Sequence, residues 1–328
     1  MVAGPADPPP GEYADFVMGH WDQARRQGKR CAILTIVGNT GSSPRPLGSQ
    51  LAISEDGRFV GLISGGCVEA SLVRDALQAM SDDRSYVERY GAGSRFIDLR
   101  LPCGSGIDIH FDVHLPDALG QAIVEARHAR IRSDLMIDTV GHGHALTIGE
   151  PGPAPKAPAG GYVKTYYPAC RLILAGVGPI ALHLARLCAI SEIEVNVVTT
   201  DRLTADALVR AGFPVSLVAR WKAHDWNRLD PYSALVILAH DHDDELDILL
   251  PVLAGAAFYI GALGSRKTHD RRCASLRKAG IAEDAIARIR GPVGLRIGAA
   301  TPPEIAVSIL GELIGQWRMR LNGAVPSP

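Results

Sequence analysis

A strand, a glycine turn and a helix in direct succession leave this chain few folds to choose from. Residues 171–175 read Arg-Leu-Ile-Leu-Ala, and Gly176-Val177-Gly178-Pro179-Ile180-Ala181 follows at once. The string fits G-x-G-x-x-G/A with alanine in the last place. A helical pattern continues through 189, and a second apolar strand runs over 194–199. Asp201 then stands where an acidic residue meets a ribose in dinucleotide-binding units. Gly176 permits the tight turn, and Gly178 lets backbone N–H groups approach a phosphate at the helix start. Pro179 costs little there, because a first-turn N–H has no intrahelical partner. The context predicts a Rossmann-like fold. It does not by itself predict NAD(P), because that fold hosts many ligands and the same turn also serves as a plain strand–helix connection.

The alternation continues downstream. Apolar strands are predicted over 234–239 and 256–260, and helices over 205–211, 244–254 and 269–279. Strands alternating with helices argue a doubly wound parallel sheet, assigned here to 169–320. The Pro- and Gly-rich stretch from 151 reads as a linker over 151–168. The first half, 14–150, has another character. A helix is expected over 15–27 and strands over 31–37, 50–54 and 59–63, with Asp56-Gly57 as a hairpin turn. A helix over 68–80, strands over 95–101 and 107–115, and a helix with a small hairpin within 116–150 complete it. The expected class is α/β: a C-terminal Rossmann-like doubly wound parallel sheet with an N-terminal strand-rich α+β domain. Residues 1–13 read as a disordered lead-in and 321–328 as a tail.

Composition narrows the partners. Of 328 residues, 34 are Lys or Arg and 35 are Asp or Glu, for a formal charge of -1. No bulk positive field recruits nucleic acid or an anionic membrane. No basic segment followed by an apolar run opens the chain. The longest uncharged stretch, 248–265, is interrupted by Pro251, Gly255, Gly261 and Gly264. A cytoplasmic protein without an integral membrane association is expected.

The 35 glycines gather into loops at predicted strand ends, and the chemistry-bearing residues gather with them. Six cysteines show neither a CxxC pair nor a zinc spacing, so reduced thiols are expected. Cys31, Cys170 and Cys188 lie in apolar segments and read as small buried hydrophobes. Cys67 and Cys103 do not, because each sits in a glycine loop. Cys67 also stands at a helix start, where the dipole lowers a thiol pKa. The alternative for both is a small residue in a tight turn. Gly261-Ala262-Leu263-Gly264-Ser265-Arg266 follows a strand and suits an oxyanion. Arg271 and Arg272 add charge there or simply decorate a helix face. His240-Asp241-His242-Asp243-Asp244-Glu245 resembles a metal-ligand string, although adjacent residues rarely share one ion, and a polar pocket edge is the preferred reading. Gly141-His142-Gly143-His144 reads as a polar turn, since no third ligand is nearby in sequence. Thr301 and Glu304 form a capping box with Pro302 at the first helical position.

Seven ordered motifs together resemble the xanthine dehydrogenase accessory protein family, XdhC/CoxI. They are Gly-Ser-Ser-Pro-Arg-Pro-Leu-Gly at 41–48, Gly-Leu-Ile-Ser-Gly-Gly-Cys-Val-Glu at 61–69, and Leu-Pro-Cys-Gly at 101–104. The second half adds Gly176-Val177-Gly178, His240-Asp241-His242, the segment 259–266 and the loop 291–304. The resemblance spans about 14–115 and 169–316. It implies a chaperone that binds the molybdenum cofactor, shields it, and inserts it into a molybdenum hydroxylase such as xanthine dehydrogenase. It further implies cooperation with a cysteine desulfurase during cofactor sulfuration. No catalytic residue is assigned, and a homodimer is expected. Carried onto this sequence, the cofactor-binding candidates are Ser43, Arg45, Gly65, Gly66, Cys67, Glu69, Cys103, Gly104, Gly176, Gly178, Asp201, His240, His242, Gly261, Gly264, Ser265 and Arg266. Cys67 and Cys103 are the candidate thiolate ligands of molybdenum. Many members carry His after the second glycine of the dinucleotide-type loop, where this chain has Pro179. Two other functions stay open: an NAD(P)-binding oxidoreductase built on the Gly176 loop and Asp201, and a metal-dependent hydrolase built on the 240–244 string.

Overall fold

The protein is described here from a computed structural model covering residues 13–41, 43, 45–66, 68–94, 106–149, 151–152, 154–239 and 245–321. It forms two compact units. One comprises the chain through 150 together with 154–168, and the other comprises 151–153 and everything from 169.

The first unit contains α1 (Met18–Arg26), β1 (Cys31–Thr40), β2 (Gln50–Ser54), β3 (Phe59–Gly61), α2 (Glu69–Ser81), β4 (Tyr86–Gly91) and β5 (Gly106–Asp112). It continues through α3 (Asp117–His128), β6 (Arg132–Asp138), β7 (His144–Gly149) and β8 (Gly161–Tyr166). An antiparallel sheet runs β3-β2-β1-β5-β4, and a smaller one runs β7-β6-β8. Side chains alternate across a strand, so the larger sheet has two buried faces. Leu34, Ile36, Leu51, Ile107, Ile109 and Phe111 pack under Leu72, Val73 and Ala76 of α2. Ile33 and Ala52 face the other way, toward Trp21, Ile123, Leu135 and Tyr166. The Asp56-Gly57 hairpin joins β2 to β3 as expected, with Gly57 at φ +80.

Register decides which loops can meet. Gln50 pairs with Thr35, Leu51 with Gly61, and Gly106 with both Thr40 and Gly91. The chain therefore leaves the sheet after Thr40, Gly61 and Gly91 at one end. Gly61 is obligatory at this end: its φ is +110, and a Cβ there would collide with the Gln50 carbonyl.

Two expectations need correction. Residues 161–166 are not linker. They form β8, which pairs with β6 from Ser133↔Tyr166 to Asp138↔Gly161. Only the residues before 161 carry the Pro/Gly composition, and the strand is held by a partner far upstream that local composition does not reveal. Strand β4 was not expected either, and Tyr86 secures it by stacking on Phe111 with ring centroids 4.8 Å apart. The strand expected over 95–101 lies outside the described residues.

The second unit contains β9 (Arg171–Gly176), α4 (Pro179–Ile190), β10 (Glu194–Thr199), α5 (Arg202–Arg210), β11 (Val215–Leu217), β12 (Ser233–Leu238) and α6 (Glu245–Leu253). It ends with β13 (Tyr259–Ala262), α7 (Arg266–Lys278), α8 (Glu283–Ala287), β14 (Ile289–Arg290) and α9 (Pro302–Leu321). Its sheet runs β11-β10-β9-β12-β13-β14, and every pair is parallel. That is the doubly wound Rossmann order, with the direction of winding switching between β9 and β12. The two faces carry separate apolar cores, one under α6 and α7, the other under α4 and α9. Among the described residues no helix is long and apolar enough to cross a membrane.

Gly120 in α3 tests how tightly the first unit packs. Helix propensity alone predicts that Gly120→Ala stabilises by about 1 kcal/mol. A Cβ there would strike the ring of Trp21, which is only 1% exposed. Overpacking wins, and the variant should lose about 1–3 kcal/mol in urea unfolding.

Candidate functional site

Ligands of doubly wound folds bind outside the carboxyl ends of the strands, at the switch point. Gly176 ends β9 there, and a Cβ on it would lie 2.9 Å from Leu238 Cβ of the neighbouring strand. Gly178 caps α4 at φ +80. Its N–H is not directed outward. It donates to Thr204 Oγ1 at 2.8 Å, and that hydroxyl donates to Asp201 at 2.6 Å. Asp201 also accepts from the Thr204 N–H at 2.8 Å and so caps α5. These hydrogen bonds hold its carboxyl below the usual aspartate range. The acid expected on a ribose is thus a helix cap. With Pro179 lacking an N–H, two donors of a pyrophosphate site are missing from this turn.

His240 and His242, at the end of β12, lie outside the described residues. The loop after β13 is tightly built. Gly264 has φ +141, and a Cβ on Gly261 would lie 2.5 Å from Val293. Ser265 caps α7 by accepting the Thr268 N–H at 3.2 Å. Arg266 is exposed at the first turn of that helix. Arg272 is not surface decoration. It is 4% exposed and bidentate to buried Glu245 at 2.7 and 3.0 Å, and it donates to the Leu263 carbonyl at 2.8 Å. One buried ion pair thus ties the start of α6 to the loop after β13. A cavity of about 660 Å³ lies beside the following loop, lined by Leu263, Arg290, the residues 291–299 and Glu312. Glu312 accepts from the Tyr259 hydroxyl at 2.5 Å and from the Gly294 N–H at 2.8 Å. Glu304 accepts from the Ala300 and Thr301 N–H groups at 2.8 and 3.0 Å, the reciprocal arm of the expected capping box.

In the first unit, Glu69 is the organising side chain. It is 5% exposed. Its carboxylate accepts from the N–H groups of Ile63 (3.1 Å), Ser64 (2.7 Å), Gly66 (2.9 Å) and Val68 (3.3 Å), and from the Ser64 hydroxyl (2.6 Å). Burial alone would raise its pKa, but this ring of donors holds it below the usual glutamate range. Gly65 and Gly66, at φ +88 and +107, let the backbone curl around it. Glu69, a candidate cofactor residue, spends its carboxylate on the backbone and the Ser64 hydroxyl of the 63–68 loop. Cys67, Cys103 and Gly104 themselves lie outside the described residues. Ser43 donates to the Arg45 carbonyl at 2.6 Å. Arg45 reaches Tyr13 Oη at 3.3 Å and Asp15 at 3.5 Å, while its buried Nε finds no acceptor among the described residues.

A histidine pair escaped the sequence reading. The turn at 139–143 does carry His142, at φ +57, but tertiary structure brings it to His110 of β5, with Nε2 and Nδ1 3.1 Å apart. His144 contacts Asp112 at 2.7 Å. His110 is fully buried, and burial pushes its pKa down to about 4 despite the opposing Asp112 charge. The alternation of β5 hides this, because His110 and Asp112 occupy the face opposite Ile109 and Phe111. Among the described residues no group of three or more His, Cys, Asp or Glu is placed to hold a metal ion. The buried Cys31 and Cys188 thiols are each pushed up to about 12 by desolvation, which fits inert packing residues.

These features match a known architecture. Residues 172–313 match the XdhC Rossmann domain, and residues 24–91 match the XdhC and CoxI family. The chain belongs to the XdhC/CoxI family. It is 29% identical over 291 residues to the molybdenum cofactor insertion chaperone PaoD of Escherichia coli, covering 89% of this chain and 85% of that protein. It is 26% identical over 331 residues to a probable xanthine dehydrogenase subunit of Bacillus subtilis, covering 89% and 94% respectively. A crystal structure of a xanthine dehydrogenase from Bacillus halodurans shares the fold, with a TM-score of 0.76 at 21% identity over 94% of this chain and 98% of that one.

The buried ionisable groups set how stability responds to substitution and to pH. Glu69→Gln replaces a charged acceptor among five donors and should cost about 2–3 kcal/mol in urea unfolding. Because the folded pKa is depressed, that stabilisation is present above about pH 4 and is lost as pH falls through the folded value. His110 behaves oppositely to a paired histidine: the unfolded chain takes up its proton near pH 6.5, whereas the folded protein resists until about pH 4. Wild-type stability should fall by up to about 3 kcal/mol from pH 7 to pH 4 on this account, and His110→Gln should flatten that slope.

Proposed function

We propose that this protein is an insertion chaperone for the molybdenum cofactor. The observation that carries the reading is the match to the Escherichia coli molybdenum cofactor insertion chaperone across 89% of this chain. In this reading the protein binds the cofactor, shields it, and hands it to a xanthine dehydrogenase-like molybdenum hydroxylase in the cytoplasm. It works as a homodimer and with a cysteine desulfurase, and it is an accessory protein rather than a turnover enzyme.

The residues suit such a ligand. The bound cofactor supplies a phosphate, a polar pterin and a dithiolene-held metal that accepts a soft thiolate. Arg45, whose buried Nε has no acceptor among the described residues, offers donors at the sheet end where β3 finishes and β5 begins. Glu69 would hold the Cys67 loop in a fixed curl. The NAD(P) alternative loses support, because the Gly178 N–H is occupied and Pro179 has none to give.

Purification from a molybdenum-replete host should yield protein that releases fluorescent pterin on oxidation and reconstitutes an apo-hydroxylase. Replacement of the ligating thiol, by Cys67→Ala or Cys103→Ala, should cut retained pterin at least about tenfold at an unchanged melting temperature. Wild-type protein with background pterin and no transfer would overturn the proposal. Wild-type retention in both variants would remove the thiolates from it.

A further inference from the structure

A lysine of β8, within the stretch whose composition reads as linker, reaches the loop that carries Arg45. Lys164 of β8 donates to the Gly48 carbonyl at 2.7 Å, its one acceptor among the described residues, and lies 5.4 Å from the centre of the Tyr166 ring. An ammonium has three N–H donors, so two remain. Gly48 closes the loop that begins with Ser43 and Arg45. Its φ of +80, and the Tyr162 hydroxyl packed where a Cβ would stand, restrict it to glycine.

Charge is unbalanced here. Burial lowers the Lys164 pKa; Asp15 opposes that shift and Arg45 adds to it, so both charges act on one ammonium. Asp15 is 65% exposed and reaches Arg45 only at 3.5 Å. The Arg45 guanidinium lies over the Tyr13 ring at 5.5 Å, and its buried Nε–H has no acceptor among the described residues. Two cations that act on one another, with donors to spare among the described residues, against one largely solvated carboxylate are an arrangement that a dianion would complete. A planar guanidinium beside an ammonium suits a phosphate better than a lone carboxylate.

We infer that Arg45 and Lys164 together form a phosphate-monoester site on the 43–48 loop, with Lys164 a binding residue outside the family motifs. In the proposed function, on which this assignment of the ligand rests, the monoester is the terminal phosphate of the cofactor. Free phosphate shares that chemistry, and the test separates the two sources.

The full-length protein is titrated with inorganic phosphate against chloride at matched ionic strength, by calorimetry and phosphorus NMR. Lys164→Gln keeps a donor for Gly48 while removing the charge, and should weaken phosphate binding at least about tenfold. Arg45→Gln should do the same, and Lys164→Arg should restore binding to within about threefold of wild type. Circular dichroism melts confirm that each variant is folded. Equal binding by folded wild type and variants, or no binding by wild type, overturns the site. Pterin content is measured on the same preparations. If wild type retains pterin and both neutral variants retain as much, the cofactor assignment fails while the chaperone reading stands. If wild type binds phosphate through these residues yet carries no pterin, the site stands and the chaperone reading fails.

Discussion

A backbone N–H turned away from water must find an acceptor, and in this protein carboxylates supply it at one glycine loop after another. Glu69 gathers four N–H groups of the 63–68 loop. Asp201 acts on Gly178 through the Thr204 hydroxyl. Glu312 holds Gly294, and Glu304 holds Ala300 and Thr301. Glu69, Glu304 and Glu312 lie inside the helix that follows their loop, so loop and helix lock together, whereas Gly178 is held from the start of α5. Glycine provides the curvature, and the acid provides the charge around which the backbone curves. An anionic side chain thereby fills a place that an external anion could take in an unpinned loop.

This changes where a ligand's negative charge can be received. Glycine loops at helix starts are the usual phosphate cradles, because their N–H groups are free and the dipole favours an anion. Here several of those N–H groups are already committed, and Pro179 removes another. Side-chain cations are the remaining donors. In the second unit Arg272 is itself consumed by Glu245, leaving Arg266 exposed at the start of α7. In the first unit Arg45 and Lys164 keep donors without acceptors among the described residues, on and against the loop that ends at Gly48. The pinned loops then serve as scaffolding for those side chains.

Much of the fold was legible in the strand–glycine–helix pattern. The apolar strand at 171–175 and the glycines after it place β9 at the centre of a parallel sheet, because such a strand must be covered on both faces. The period-two alternation of Ile107, Ile109 and Phe111 likewise declares one buried face of β5. The opposite face was harder. His110 and Asp112 alternate with those residues and look like solvent-facing polar positions. They are buried because the small β7-β6-β8 sheet and its turn cover that side.

Local periodicity and turn chemistry were enough for the α/β class, the Rossmann half and the β2–β3 hairpin, while the ordered motifs carried the resemblance to the family. Four other features came only with the folded chain. These are the strand character of β8, the hydrogen bonds of Glu69 and Asp201 to the backbone, the burial of Arg272 against Glu245, and the reach of Lys164 to the loop that carries Arg45. The physical reason is the same throughout. Whether a charged side chain faces water, a ligand or an internal partner depends on which distant segment the fold brings to it, and spacing along the chain does not carry that information.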